Sequence, residues 1–264
     1  MAEIAERGAL VLVHGAWHGS WCWELLVPEL TARGWRVSAL DLPSTSGDPD
    51  AGMLDDARVV REHLAAIEGP VTVLAHSYGG IPVAEVADTV PGVEALVYLA
   101  AHMLAPGESL VSPIGGPWYP AGTTLLPAPE PAVDLLFHDV PADLAERSVA
   151  RLRPQSARAF GETQTRAAWR TLPTGLILCD EDRAFPELFA KRQETWPDLL
   201  RRMPTGHSPF LSRPASWRPG RRDRGGAALG RRAGLTDAPH GAAGAVRVSR
   251  GPVRGPRRSG RRGA

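Results

Sequence analysis

Apolar and polar positions alternate between two periods along the first 217 residues. Five short segments are apolar at almost every position: Ala9–Val13, Trp35–Leu40, Val71–Ala75, Ala95–Leu99 and Gly175–Cys179. Runs of that length, rich in valine, leucine and isoleucine, predict strands buried on both faces. Between them, apolar residues recur at helical spacing over about 20–33, 54–67, 78–88 and 186–196. Strands separated by helices predict an α/β fold with a mostly parallel sheet and right-handed crossovers. One stretch interrupts the alternation. Residues 104–172 are first proline-rich, from Pro106 to Pro131, and then helical in pattern near 132–138, 142–151 and 155–170. That is too long for a plain connection and predicts a helical cap, inserted before the last predicted strand, over the sheet's carboxyl edge, where open α/β sheets bind ligands. The expected organisation is a core of residues 1–103 and 173–217, a cap of 104–172 and a tail of 218–264.

Charge separates the tail from the rest. Residues 218–264 hold thirteen arginines against two acids, Asp223 and Asp237, together with eleven glycines and no aromatic residue. The preceding residues carry 17 basic and 27 acidic side chains, so the formal net charge of +1 hides two opposed parts. With neither period, the tail predicts disorder, because it cannot bury enough surface to offset its ordering entropy. Its abrupt onset as an Arg/Gly/Ala/Pro mixture is what a shifted reading frame in GC-rich DNA would produce. A nucleic-acid arm is disfavoured: no aromatic residue interleaves the arginines, and the only lysine of the chain is Lys191.

Cys22 and Cys179 lie in separate apolar segments and form no C-x-x-C pair, which excludes a disulfide framework and a cysteine-rich zinc site. No apolar run approaches the ~18 residues of a membrane span. The first seven residues are acidic where a signal peptide would be basic. These features predict a soluble, cytoplasmic protein. No phosphate-cradling glycine loop and no metal-spaced His/carboxylate cluster is present, so no metal and no cofactor are expected.

The candidate chemistry lies where strand meets helix. Val71–Ala75 runs into Ala75-His76-Ser77-Tyr78-Gly79-Gly80, a small-x-Ser-x-Gly pattern with alanine where glycine is usual. A sharp strand-to-helix turn admits only small residues two before and two after the serine, and it projects the hydroxyl beneath a helix N-terminus that favours developing negative charge. A serine nucleophile needs a base oriented by an acid, in the chain order Ser, Asp/Glu, His. His207 and His240 follow the last predicted strand, and His240 falls in the tail. The loop closing Gly175–Cys179 offers Asp180, Glu181 and Asp182, which spacing alone does not separate; the loop Ala100–Ala105 has no carboxylate. His14-Gly15-Ala16-Trp17-His18-Gly19 follows the first strand, and Gly15 lets the chain bend so that the Ala16 N–H faces the serine. With the Tyr78 N–H it would form an oxyanion hole, leaving His14 and His18 to order the loop.

These blocks, Leu12–Trp23, Ala75–Gly79, Cys179–Pro186 and Gly206-His207, resemble the α/β-hydrolases related to plant methyl-ester esterases and hydroxynitrile lyases and their actinobacterial esterase homologues, over about residues 10–213. The resemblance implies that the acid is the last residue of Cys-x-Glu-Asp, Asp182. Hydroxynitrile lyases of the group place a threonine after the first histidine and a lysine after the catalytic one; here Gly15 and Ser208 stand there, so ester hydrolysis is implied. The group continues past the histidine into a closing helix, where this chain has its arginine-rich tail. The expected function is a serine esterase, with triad Ser77, His207 and Asp182, acting on a small apolar ester held by Trp17, Trp118, Leu126 and Phe137. The rival readings are a receptor that retains the triad and a pseudo-enzyme inactivated by the aberrant C-terminus. The expected partner is a small-molecule ester, with no membrane; a homodimer is left open.

Overall fold

A computed structural model describes residues 7–217. The arginine-rich tail, with its expected disorder and shifted frame, and His240 lie outside the described residues.

Ala9–Val13 (β1), Arg36–Leu40 (β2), Val71–His76 (β3) and Val93–Leu99 (β4) join Thr174–Cys179 (β7) and Leu199–Met203 (β8) in one six-stranded sheet. The order is β2-β1-β3-β4-β7-β8, and every neighbouring pair is parallel. Leu125–Leu126 (β5) and Gln155–Ser156 (β6) form a separate antiparallel ladder. Five strands of the large sheet lie on the apolar runs of the sequence. β8 reads Leu-Leu-Arg-Arg-Met and pairs only with β7 at the sheet edge, so its arginines hide it from a search for apolar runs.

Side chains of successive strand residues point to opposite faces, and the apolar runs feed two cores. Val11 and Val13 of β1 and Val73 and Ala75 of β3 pack with Met53–Ala65 (α2) and Gly80–Val86 (α3). Leu10, Leu12 and Leu74 face the other way, against Trp23, Leu26–Thr31 (α1) and Pro209–Ser212 (α8). Glu187–Gln193 (α7) links β7 to β8.

Between β4 and β7 lie Ala132–Leu136 (α4), Ala142–Val149 (α5) and Ala157–Gly161 (α6). The helical pattern over 155–170 is corrected here: its helix stops at Gly161, and Glu162 is extended. The N–H groups of Thr165 and Arg166 donate at 2.7 and 3.0 Å to the carboxylate of Glu85 on α3 instead of to a helical carbonyl. A tertiary acceptor outcompetes the local ladder.

β1 and β3 lie side by side although their chain connections run to opposite sides of the sheet, β1 to β2 and β3 to β4. That reversal opens a crevice at the strands' carboxyl ends, where ligands bind in such sheets. The Phe210 ring of α8 anchors the chain beside it: fully buried, it stands 4.7 Å from Trp23 and 4.8 Å from His76, centroid to centroid. Phe210→Ala is therefore expected to lower unfolding free energy by about 3–5 kcal/mol, measured by urea titration; a loss below about 1 kcal/mol would show that α8 does not anchor this end of the core.

Candidate active site

The serine turn is strained. Ser77 has φ 51°, in the left-handed region that non-glycine residues rarely occupy. The carbonyl of Ser77 accepts the His102 N–H at 3.0 Å, tying the turn to the chain leaving β4. Gly79 has no room for a side chain: a Cβ there would collide with the carbonyl oxygen of His14 and come within 3.0 Å of that of Val13. A Cβ on Gly15 would lie 2.8 Å from Ser77 Cβ and from His76 Nδ1. The β1 loop and the serine turn are thus pressed together, which accounts for small residues on both.

Two histidines hold the β1 loop. Leu42 N–H donates to His14 Nε2 at 3.0 Å, so the ring proton sits on Nδ1, which donates to the Gly15 carbonyl at 2.8 Å. A peptide is planar, so fixing the Gly15 carbonyl also fixes the opposite direction of the Ala16 N–H. His18 Nδ1 donates to the Ala16 carbonyl at 2.7 Å. Trp17 is left-handed at φ 61°, with its N–H 3.4 Å from Gln155 Oε1.

On the far side of the crevice, His207 Nδ1 lies 2.8 Å from Asp182 Oδ2, with both side chains buried. Asp182 Oδ1 accepts from the backbone N–H of Ala184 and Phe185 at 2.8 and 2.9 Å. Burial pushes the Asp182 carboxyl up, but the His207 imidazole and those two amides outweigh burial and leave it below the usual carboxylate range. Of the neighbouring acids, Asp180 pairs with Arg202 at 2.7 Å. With the His207 proton on Nδ1, Nε2 carries the lone pair. The His207 carbonyl accepts from His76 Nε2 at 3.0 Å, which locks the loop onto the end of β3.

A cavity of about 300 Å³ is lined by Ser77, His207, Ala16 and Tyr78 together. Trp17 and Trp118 line it too, and they also border an adjoining cavity of about 480 Å³ that Leu126 faces. Phe137 lines neither of these cavities. It is fully buried in the core, its ring 5.7 Å from that of His18, because the end of α4 turns it toward the sheet.

Two residues near the serine escaped the sequence reading. Asp56 is fully buried on α2 and accepts from Ser44 N, Ser44 Oγ and Tyr78 Oη at 2.9, 2.6 and 2.6 Å. Its signal was an acid lying on the apolar stripe Met53, Ala57, Val60, Leu64. Burial raises it to about 6, against the pull of those hydrogen bonds. His102 stands in the loop Ala100–Ala105, which has no carboxylate, and it lines the cavity. Among the described residues no group of three His, Cys, Asp or Glu could hold a metal, and no helix is long and apolar enough to cross a membrane.

An open parallel sheet with a strained serine at its crevice and a buried His–Asp pair opposite has the architecture of an α/β-hydrolase. The chain belongs to the alpha/beta hydrolase family, whose model matches residues 10–217. It is 25% identical over 224 residues to polyneuridine aldehyde esterase of Rauvolfia serpentina, covering 72% of this chain and 84% of that one. Among solved structures, a pyrethroid hydrolase from Sphingobium faniae JZ-2 superimposes with a TM-score of 0.64 at 27% identity, over 79% of this chain and 93% of the other. An Arabidopsis methylesterase gives 0.66 at 26%, over 79% and 94%. The resemblance to the methyl-ester esterase group is thereby borne out.

The buried histidines set an acid limit. Burial, the largest cause in each case, lowers His14 to about 4 and His18 and His102 to about 3, and holds His76 well below its ordinary value. The unfolded chain, with histidines near 6.5, binds more protons than the native state below that pH. Stability is therefore fully present above pH 6.5 and falls as pH drops, by roughly 1.4 kcal/mol per histidine per pH unit. Asp56, raised in the native state, opposes one of the four below pH 6. Tm is expected to be lower at pH 5 than at pH 7 by about 10 °C or more, read by calorimetry; an equal or higher Tm at pH 5 contradicts the neutral, buried histidines.

Proposed function

We propose that the protein is a serine carboxylesterase acting on small apolar esters. The observation that carries this reading is the buried 2.8 Å His207–Asp182 hydrogen bond, with Ser77 and His207 on the wall of one cavity. His207 Nε2 takes the proton of Ser77 Oγ as Oγ bonds to the ester carbonyl carbon. The carbonyl electron pair moves to its oxygen, held by the N–H groups of Ala16 and Tyr78. The C–O bond to the alcohol then breaks, the alcohol leaves with the proton from Nε2, and water repeats the sequence on the acyl-serine. Asp182 holds the imidazole in the Nδ1–H tautomer and stabilises the imidazolium.

The cavity wall supports an apolar substrate. Apart from Ser77, His207 and His102 it is aliphatic and aromatic, with Leu110, Phe160 and Phe189 among its residues, and among the described residues no lysine, arginine, aspartate or glutamate lines it. The position after the histidine is Ser208, so nothing there would stabilise a departing cyanide, and hydrolysis is favoured over lyase chemistry.

Ser77→Ala is expected to abolish turnover of p-nitrophenyl acetate and labelling by a fluorophosphonate. Asp182→Asn is expected to lower kcat by roughly 10⁴ through loss of the productive tautomer, with little change in KM. Retained turnover in purified Ser77→Ala protein, or an Asp182→Asn enzyme within tenfold of the parent, refutes the mechanism.

A further inference from the structure

Three polar side-chain atoms bordering the cavity are already paired. Trp17 Nε1 donates to the Leu126 carbonyl at 3.2 Å, Tyr78 Oη to Asp56, and His207 Nδ1 to Asp182. His102 differs. It is only 7% exposed, it lines the cavity beside Ser77 and His207, and its Nδ1 is buried with no hydrogen-bond partner.

Its position is firmly held. The His102 N–H donates to the Ser77 carbonyl at 3.0 Å. The peptides on either side are clamped by one buried amide, Gln193, whose Nε2 donates to the Ala101 carbonyl at 2.7 Å and whose Oε1 accepts the Met103 N–H at 3.0 Å. Ala100, at φ 44°, makes the turn that presents the segment. Phe185 and Phe189 brace the ring at 4.8 and 4.5 Å, centroid to centroid.

Burial, reinforced by His207 and only partly opposed by Asp182, lowers the ring to about 3, so it is neutral under ordinary conditions. A neutral imidazole offers one N–H and one lone pair. Nδ1 is closed to solvent, which leaves Nε2 as the nitrogen that can meet a ligand, and a ligand that hydrogen-bonds it there gains accordingly. Among the described residues no lysine, arginine, aspartate or glutamate lines this cavity, so a charged ligand group would find no counter-ion on its wall. A hydroxyl can both donate and accept without one.

The geometry points to His102 as the specificity-determining residue of the cavity, selecting an apolar ester that carries one uncharged hydroxyl over the same ester without it. This rests on the esterase reading and narrows its substrate class. A pocket built to hydrogen-bond a substrate hydroxyl discriminates against the analogue lacking it, since the pocket's own polar group is then left unpaired.

The test measures binding to full-length Ser77→Ala protein, which cannot consume the ligand by the proposed route. The probes are methyl phenylacetate and its three ring-hydroxylated isomers, titrated calorimetrically. At least one isomer is expected to bind about tenfold or more tightly than the parent ester. Adding His102→Phe should remove that advantage, and His102→Gln, which keeps a donor and an acceptor, should restore part of it. Melting curves check folding, with His102→Leu as the apolar variant if phenylalanine does not fold. The proposal is overturned if every isomer binds within about twofold of the parent, if no probe binds at millimolar concentration, or if the preference survives the apolar substitution. Hydrolysis of the same esters by the Ser77 protein is scored separately. Hydroxyl-selective binding without turnover sinks the esterase reading alone, and turnover without hydroxyl selectivity sinks this inference alone.

Discussion

Two backbones meet at the carboxyl end of the sheet with no space for a side chain between them. The His14 carbonyl occupies the place where a Cβ of Gly79 would stand, and Gly15 comes equally close to Ser77 and His76. This contact requires glycine on both segments, fixes the β1 loop against the serine turn, and brings Ala16 and Tyr78 to one cavity with Ser77. The left-handed strain at Ser77 persists because the surrounding chain over-determines it, through the His102 amide and the packed β3–α3 junction.

Around this contact the protein gathers five histidines and uses them differently. His14 and His18 are neutral donors that orient the carbonyls of the β1 loop, and His76 joins β3 to the loop bearing His207. Only His207 has a carboxylate partner in hydrogen-bonding contact and a place on the cavity wall. His102 shares that wall without an acid. Surroundings, not residue type, set the difference: the same side chain is held neutral by burial at four positions and paired with Asp182 at the fifth.

The architecture was readable because its signals are local. Apolar runs marked β1 to β4 and β7, and the small-x-Ser-x-Gly spacing marked the turn because the steric demand lies within five residues. What depended on long-range partners was not readable. Spacing left Asp180, Glu181 and Asp182 equivalent, and what separates Asp180 from Asp182 is Arg202 on the one and His207 on the other, both 22 or more positions away. β8 was hidden by its edge arginines, and the overlong helix over 155–170 ignored the acceptor that Glu85 supplies from α3. Phe137, read from its aromatic character as a pocket residue, is turned into the core, since composition says which residues are apolar but not which way they face.

Ser77, at the strained turn, is the proposed nucleophile. Incubation with diethyl p-nitrophenyl phosphate followed by intact-mass and peptide-mass analysis tests it most directly. Release of one p-nitrophenolate per chain and a single diethylphosphoryl group on Ser77 are expected. An unmodified protein, or a phosphoryl group carried by a different residue, contradicts it.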